Sequence, residues 1–309
     1  MEGNFCGRVV FPDSQQYETA RQVFNRSIQK YPISIAYCTN ENEVTEAVDD
    51  ARTSGCKIRI RSGGHSYEGF SVGNCASVVD VSCMDSITID EGAGTLTAGP
   101  GVLNRTLYEL AGAYGYPFPS GTCPTVAVSG LTLGGGWGLS SRKFGLTCDS
   151  LISAAMIDAC GRRRIADEHH ERELFFALRG GGGGNFGVVT SLTYRLPPKL
   201  FYVTYVEMEA FGVSKETAAE FIRRFQRWIL LGDRNFTPIA RVYHTPEEPR
   251  GIVLRGIYYG DQIQAQRSLE MFLSLGLSST FEEMTFLEAI RIVESGYQIG
   301  RAHVLNSSH

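Results

Sequence analysis

Three stretches of the chain set nucleophilic, cationic or hydroxyl side chains among runs of glycine. The first, Arg61-Ser62-Gly63-Gly64-His65-Ser66-Tyr67-Glu68-Gly69, follows the alternating segment KIRIR, which reads as a strand over Lys57–Arg61. Consecutive glycines let the main chain take φ > 0 and approach a ligand closely. Successive N–H groups exposed by such a turn form a nest for anions, pyrophosphate included. The same residues would also serve as an ordinary glycine turn after a strand. The second stretch, SGTCPTVAVSGLTLGGGWG over Ser120–Gly138, mixes hydroxyls with a single thiol, Cys123. The third, RGGGGGNFGVVT over Arg179–Thr190, runs straight into a strand. Neither carries Gly-x-Gly-x-x-Gly within a strand–helix–strand unit, nor the Gly-Lys-Ser/Thr of a P-loop. Three clusters in one domain imply main-chain approach along a long ligand.

The elements that must position these loops are readable from periodicity. Val44, Ala47, Val48 and Ala51 recur at helical spacing, and Gly55 stops a helix over Glu41–Ser54. Short strands are expected at Val78–Val81, Ser86–Asp90 and Thr95–Ala98, a helix at Val102–Tyr114, and strands at Ser150–Ile157 and Gly187–Leu196. Pro197-Pro198 marks a candidate boundary. Beyond it, Phe201–Phe211 alternates as a strand, and Ser214 can cap a helix running to Leu231 with Gly232 as its stop. Phe236–Tyr243 and Ile252–Tyr259 form a strand pair joined by TPEEPRG. Asp261 can cap a helix through Ser274, and another strand begins near Thr280. This β-α-β-β-α order suits an antiparallel sheet with helices on one face. The whole reads as α+β: residues 1–198 as one domain, 199–298 as a second, and 299–309 as a tail.

Composition excludes several classes. The 309 residues are 43% hydrophobic and 20% charged, ordinary for a folded chain. Lys+Arg is 29 against Asp+Glu 33, a net charge of −4 that gives no basic footprint for nucleic acid. No apolar run approaches the roughly 18 residues of a membrane span. Met1–Gln15 does not read as a secretory signal, so a cytoplasmic location is expected. Eight cysteines are too sparse for a disulfide scaffold, and none has Cys-x-x-Cys spacing. They are expected to be mostly small buried thiols in a reducing compartment, and no metal site is expected. The ending IGRAHVLNSSH (Ile299–His309) resembles the translation of a sequencing-library adapter. His303 and His309 are therefore kept out of the site, and the natural chain is expected to be cut near Gln298.

RSGGHSYEG, SGTCPTVAVSGLTLGGGWG and FFALRGGGGGNFGVVTSLTYRL together resemble the FAD-linked oxidases of the vanillyl-alcohol-oxidase superfamily, in particular the berberine-bridge-enzyme-like group with its PCMH-type FAD-binding domain. The resemblance is strong over Tyr31–Pro197 and weaker beyond. It implies two subdomains that bind FAD, followed by a substrate domain whose sheet covers the flavin ring. His65 matches the histidine bonded to the flavin 8α-methyl, and Cys123 matches the cysteine bonded to flavin C6 in bicovalent members. Without the resemblance, His65 would be a turn histidine and Cys123 an inert thiol. The resemblance also implies that Arg61, Ser62, Gly63, Gly64 and Ser66 cradle the pyrophosphate. Gly121, Thr122, Val128, Gly130, Gly134, Gly135 and Gly138 would line the cofactor channel, with main-chain contact from Val188 and Val189. Val126 occupies the position that admits or excludes oxygen, and valine there favours an oxidase.

Trp137 stands where many plant relatives carry an assisting tyrosine, and an indole N–H cannot act as a base. No catalytic base is assigned. Arg241, Tyr243 and His244 end a strand that could face the flavin, or could be a solvated strand end. The implied reaction takes a hydride from an alcohol or sugar hydroxyl carbon to FAD, with molecular oxygen as acceptor. Two alternatives are a dehydrogenase or reductase on the same fold, and a non-catalytic flavin-binding or carbohydrate-binding relic.

Overall fold

The computed structural model describes residues 5–244 and 249–294. The turn at 245–248 within TPEEPRG and the tail at 299–309 lie outside the described residues. The chain divides into two compact units. One comprises Met1–Leu107, Cys123–Gly136 and Leu146–Leu196, and the other Tyr108–Thr122, Trp137–Gly145 and Pro197–His309.

The first unit contains two sheets. Strands β1 (Val9–Val10), β2 (Ser34–Tyr37), β3 (Lys57–Arg61) and β4 (Ala76–Asp80) lie in the order β1-β2-β4-β3. Both β2 and β3 run parallel to β4. Parallel strands need a crossover, and the helix Glu41–Thr53 supplies it between β2 and β3. Its start is fixed by reciprocal capping. Asn40 Oδ1 accepts from Glu43 N at 3.1 Å, while the Glu43 carboxylate accepts from Thr39 N at 2.8 Å. The predicted stripe Val44, Ala47, Val48 and Ala51 is its buried face.

The second sheet is built from β5 (Ile87–Asp90), β6 (Thr95–Ala98), β7 (Leu151–Ile157), β8 (Arg163–Asp167) and β9 (Val188–Arg195), in the antiparallel order β5-β6-β9-β7-β8. Val44 and Val48 share one core with Val79 and Val81 of the first sheet and Ile157 and Val188 of the second. That core clamps the crossover helix between the two sheets.

Arg61, the last residue of β3, turns its side chain inward. It is 5% exposed and Asp80 only 1%. The guanidinium pairs with the Asp80 carboxylate through Nε, donates to Ala20 O at 2.8 Å through Nη1, and donates to the Tyr37 hydroxyl at 3.0 Å through Nη2. The other Asp80 oxygen accepts from Ser82 N at 2.9 Å. A buried ion pair persists only when its remaining hydrogen-bonding groups are satisfied, and here several are. The strand end that launches the first glycine loop is thereby locked to β4 and to the 17–20 helical turn.

In the second unit, β10 (Tyr202–Phe211), β11 (Phe236–Tyr243), β12 (Gly251–Tyr258) and β13 (Ser278–Thr285) form an antiparallel sheet ordered β11-β12-β10-β13. One face carries Val206, Met208, Ile252, Leu254 and Phe236. They pack against Phe221 and Trp228 of the helix Lys215–Leu231 and against Ala265, Leu269 and Phe272. Ser214 caps the long helix, its hydroxyl accepting from Thr217 N at 3.0 Å.

Two expectations need correction. The Asp261-capped helix does not run unbroken to Ser274. It is two helices, Gln262–Ser268 and Glu270–Leu273. The main chain leaves helical geometry at Leu269 (φ −109°, ψ 11°), whose side chain is fully buried in the core. The cysteines are not mostly buried thiols either. Cys6 and Cys83 form a disulfide, Cys75 and Cys160 are exposed, and only Cys38 and Cys148 are buried. Burial pushes the Cys38 thiol up to about 12 and raises that of Cys148. A sequence separation of 77 residues gave no local signal for the disulfide. Among the described residues, no helix is long and apolar enough to cross a membrane.

Two outcomes follow for stability. Thiol titration of the denatured, unreduced protein should find the six cysteines outside the disulfide, and Cys83→Ser should lower the unfolding free energy by about 2–4 kcal/mol. Eight titratable thiols would remove the cross-link from the account. Asp80→Ala leaves the Arg61 guanidinium buried without its counter-charge. It should cost roughly 3–5 kcal/mol in denaturant unfolding, far above the ~0.5 kcal/mol of a surface substitution.

Candidate functional site

The first glycine-rich stretch and residues 123–136 of the second lie side by side in the first unit, with contacts that step along the two segments in opposite directions. Ser129 Oγ donates to Pro100 O at 2.7 Å and is hydrogen-bonded to Ser62 Oγ at 3.1 Å. Gly63 faces Ala127, where an added Cβ would stand 2.7 Å from the Ala127 nitrogen. Only glycine allows this approach, because the obstructing atom is main chain. His65 then meets Thr125, Nε2 to Oγ1 at 3.0 Å. Gly64, between them, has φ +65°, and its carbonyl accepts from Phe24 N at 3.0 Å.

The second stretch is pinned on its other side. Asn104 N donates to Val126 O at 2.9 Å, Arg105 N to Pro124 O at 3.1 Å, and Val128 N to Val102 O at 2.8 Å. The Asn104 amide donates to Cys123 O at 3.0 Å, and Asn104 is fully buried. The segment carrying Cys123 is therefore held by backbone on one edge and by the first loop on the other. Its short helix Val128–Leu133 contains Gly130 and ends at Gly134. Gly135 follows with φ +104°, its carbonyl accepting from Cys148 N at 2.9 Å.

The third stretch joins the same face. Gly182 N donates to Leu133 O at 2.7 Å, and a Cβ on Gly184 would sit 3.5 Å from Ile60 of β3. Val188 and Val189 open β9, paired in register with Ile157 and Met156, and both side chains are buried.

Chemistry concentrates around one hydroxyl. Thr125 Oγ1 lies 3.0 Å from His65 Nε2 and 3.6 Å from Cys123 Sγ. The imidazole also stacks on Phe24, ring centroids 4.2 Å apart and planes 20° apart. An imidazole and a thiol, two nucleophilic side chains, thus share one hydroxyl partner.

Of the sequence-based candidates, Ser62, Gly63, Gly64, His65, Ser66, Cys123, Val126, Val128, Gly130, Gly134 and Gly135 gather in this region of the first unit. Ser66 Oγ accepts from Phe70 N at 3.2 Å. Arg61 is present through its main chain, since its side chain enters the core. Gly121, Thr122 and Gly138 belong to the second unit. There Gly121 O accepts from the Tyr108 hydroxyl at 3.1 Å, and a Cβ on Gly138 would fall 1.7 Å from Ser120 O. Trp137, Arg241, Tyr243 and His244 are also in the second unit, Arg241 and Tyr243 on β11.

Three residues escaped the sequence reading: Thr125, Phe24 and Ser129. Thr125 sits two residues from Cys123 inside a motif already singled out, a usable signal. Phe24 stands 41 positions before His65, and nothing local links them.

The donor set suits FAD. Glycine main chain offers N–H groups for a pyrophosphate, and His65 and Cys123 meet the same threonine hydroxyl. Comparison with known proteins agrees. Residues 32–166 match the FAD binding domain family. The uncharacterized FAD-linked oxidoreductase YgaK of Bacillus subtilis strain 168 is 34% identical over 94% of this chain and 64% of its own length. The structure of Physcomitrella patens BBE-like 1 superposes with a TM-score of 0.85 at 30% identity, over 93% of this chain and 62% of that one. The xylooligosaccharide oxidase from Myceliophthora thermophila C1, solved with xylobiose, superposes with a TM-score of 0.83 at 27% identity, over 93% and 61%. The chain thus spans less than two thirds of each of these relatives. On these similarities and the three glycine-rich motifs, the chain carries a match to the FAD binding domain over residues 32–166 and is similar to FAD-linked oxidoreductases, the berberine-bridge-enzyme-like proteins among them.

Proposed function

We propose that this chain carries FAD covalently through His65 and Cys123 and serves an oxidase that converts an alcohol or carbohydrate hydroxyl to a carbonyl, with molecular oxygen as the final acceptor. The observation that carries the reading is the convergence of His65 Nε2 and Cys123 Sγ on Thr125 Oγ1. When bound, FAD supplies the hydride-accepting chemistry. The chain's own residues bind and orient it. The 62–66 main chain receives the pyrophosphate, with Ser62 fixed by Ser129 and Gly63 seated against Ala127. Val128, Gly130, Gly134 and Gly135 line the cofactor channel, and Val188 and Val189 contribute main-chain groups. Val126, held by its carbonyl to Asn104 N, is small enough to leave oxygen a path to the ring.

Forming each tether would replace a C–H of the flavin and an N–H or S–H of the side chain by C–N or C–S, and the two electrons and two protons released per tether would go to dioxygen as hydrogen peroxide. Sugar and other alcohol substrates are favoured by the likeness to a protein whose structure was solved with xylobiose.

Peptide mass spectrometry of the FAD-loaded protein should find flavin on both the His65 and the Cys123 peptides. His65→Ala and Cys123→Ala should each leave one adduct, and hydrogen peroxide should appear on turnover with a panel of sugars and alcohols. Unmodified peptides at both positions in the loaded protein would defeat the tethered reading. Gly63→Ala drives a methyl into the Ala127 main chain. It should cost about 1–3 kcal/mol of stability and release FAD more readily on gel filtration, while a variant that keeps FAD as the parent does would separate this contact from cofactor binding.

A further inference from the structure

We propose that Thr125 is the positioning residue that sets both tethers: its hydroxyl accepts a hydrogen bond from His65 Nε2–H and donates one to Cys123 Sγ, fixing the tautomer and rotation of the imidazole and the direction of the thiol together. The inference rests on the tethered-flavin reading above and deepens it.

A planar ring attached through two rotatable bonds needs two restraints to be held. Phe24 supplies the first, since a stack at 4.2 Å and 20° defines the plane of the His65 ring. A stack defines the plane but does not distinguish the two ring nitrogens. Thr125 supplies the second restraint at the ring edge, at 3.0 Å from Nε2. In a neutral imidazole, the bond made at one nitrogen decides which nitrogen keeps the proton and which keeps the basic lone pair. A threonine hydroxyl has one donor and two acceptor sites. Accepting from Nε2–H leaves its own proton to point at sulfur, 3.6 Å away. One side chain therefore coordinates two reactive groups that come from segments 58 residues apart. The role is one of orientation, and no proton or electron passes through the threonine.

The hydroxyl is not needed by the core. Thr125 is exposed, and its segment is anchored by main-chain bonds at Pro124, Val126 and Val128. Thr125→Val keeps the side-chain shape and removes the hydroxyl, whereas Thr125→Ser keeps the hydroxyl and removes the methyl. The test isolates the FAD-loaded protein and its variants after equal, brief exposure to FAD. It reads flavin occupancy of the His65 and Cys123 peptides by mass spectrometry, total bound flavin by absorbance, and the melting temperature.

Thr125→Val is expected to lower occupancy at both peptides about tenfold, the factor carried by one hydrogen bond of ~1.4 kcal/mol. Occupancy is read per bound flavin, so that the loss of tethering is separated from any loss of binding, and Thr125→Ser should restore the parental value. Thr125→Ala provides a second hydroxyl-free chain should the valine variant fold poorly. Parental occupancy in the hydroxyl-free variants would overturn the role of Thr125 and leave the tethers standing. A serine variant as poor as the valine one would overturn it too, since the hydroxyl would not be the agent. Absence of adducts in the parent chain would instead remove the tethered reading, and the inference with it.

Discussion

The close approach of Gly63 to the main chain of Ala127 is the constraint on which the site depends. With no Cβ at 63, two loops from distant parts of the sequence can lie against one another, and three contacts then fall into step: Ser62 with Ser129, Gly63 with Ala127, His65 with Thr125. Were the loops held further apart, the serine bridge and the histidine–threonine bond would both be lost, and His65 and Cys123 would no longer share a partner. Glycine here serves for the space it leaves more than for the conformations it permits, whereas at Gly64, with φ +65°, it serves for conformation.

A glycine-rich loop has little to hold it in one shape, because glycine loses more conformational freedom on ordering than any other residue. The surrounding fold supplies the restraint. Arg61 anchors the first loop from within through the buried pair with Asp80, and Asp80 in turn holds the turn at Ser82. The Cys6–Cys83 disulfide closes one residue further on. Main-chain bonds to residues 102–105 anchor the second loop. The third is tied to Leu133, while β9, which follows it, enters the same core as the crossover helix. Exposed main chain can thus be offered to a ligand from a rigid base, the arrangement that preorganised binding requires.

Much of this was legible in the sequence, for identifiable reasons. Strand β3 was readable because it alternates strictly, and the helix Glu41–Thr53 because its four apolar residues keep a single stripe and Gly55 stops it. The helix after Ser214 was readable from its capping serine and its glycine stop. The helix Val128–Leu133 was not. Its sequence VSGLTL contains glycine and β-branched or hydroxyl residues of low helix propensity, and tertiary contacts hold it, among them the buried 2.8 Å bond between Thr132 and the Tyr194 hydroxyl. Strands β1 and β2 are too short to show a period. The break at Leu269 is set by burial of one side chain, which periodicity does not register. His65 and Cys123 were visible through their motifs, and Thr125 lay inside one of them, but its place between the two side chains shows only where two segments meet. Motif matching finds residues that carry chemistry. It does not find the partner that orients them when that partner is defined by a contact across the fold.

We propose that the 62–66 and 123–130 segments form one cradle for FAD, with His65 and Cys123 bonded to its ring. The most direct measurement is a crystal structure of the FAD-loaded protein. Electron density should place the pyrophosphate on the main chain of residues 62–66 and run unbroken from both side chains into the ring. Density for the cofactor lying away from these two segments, or a ring separated from both side chains by van der Waals gaps, would contradict it.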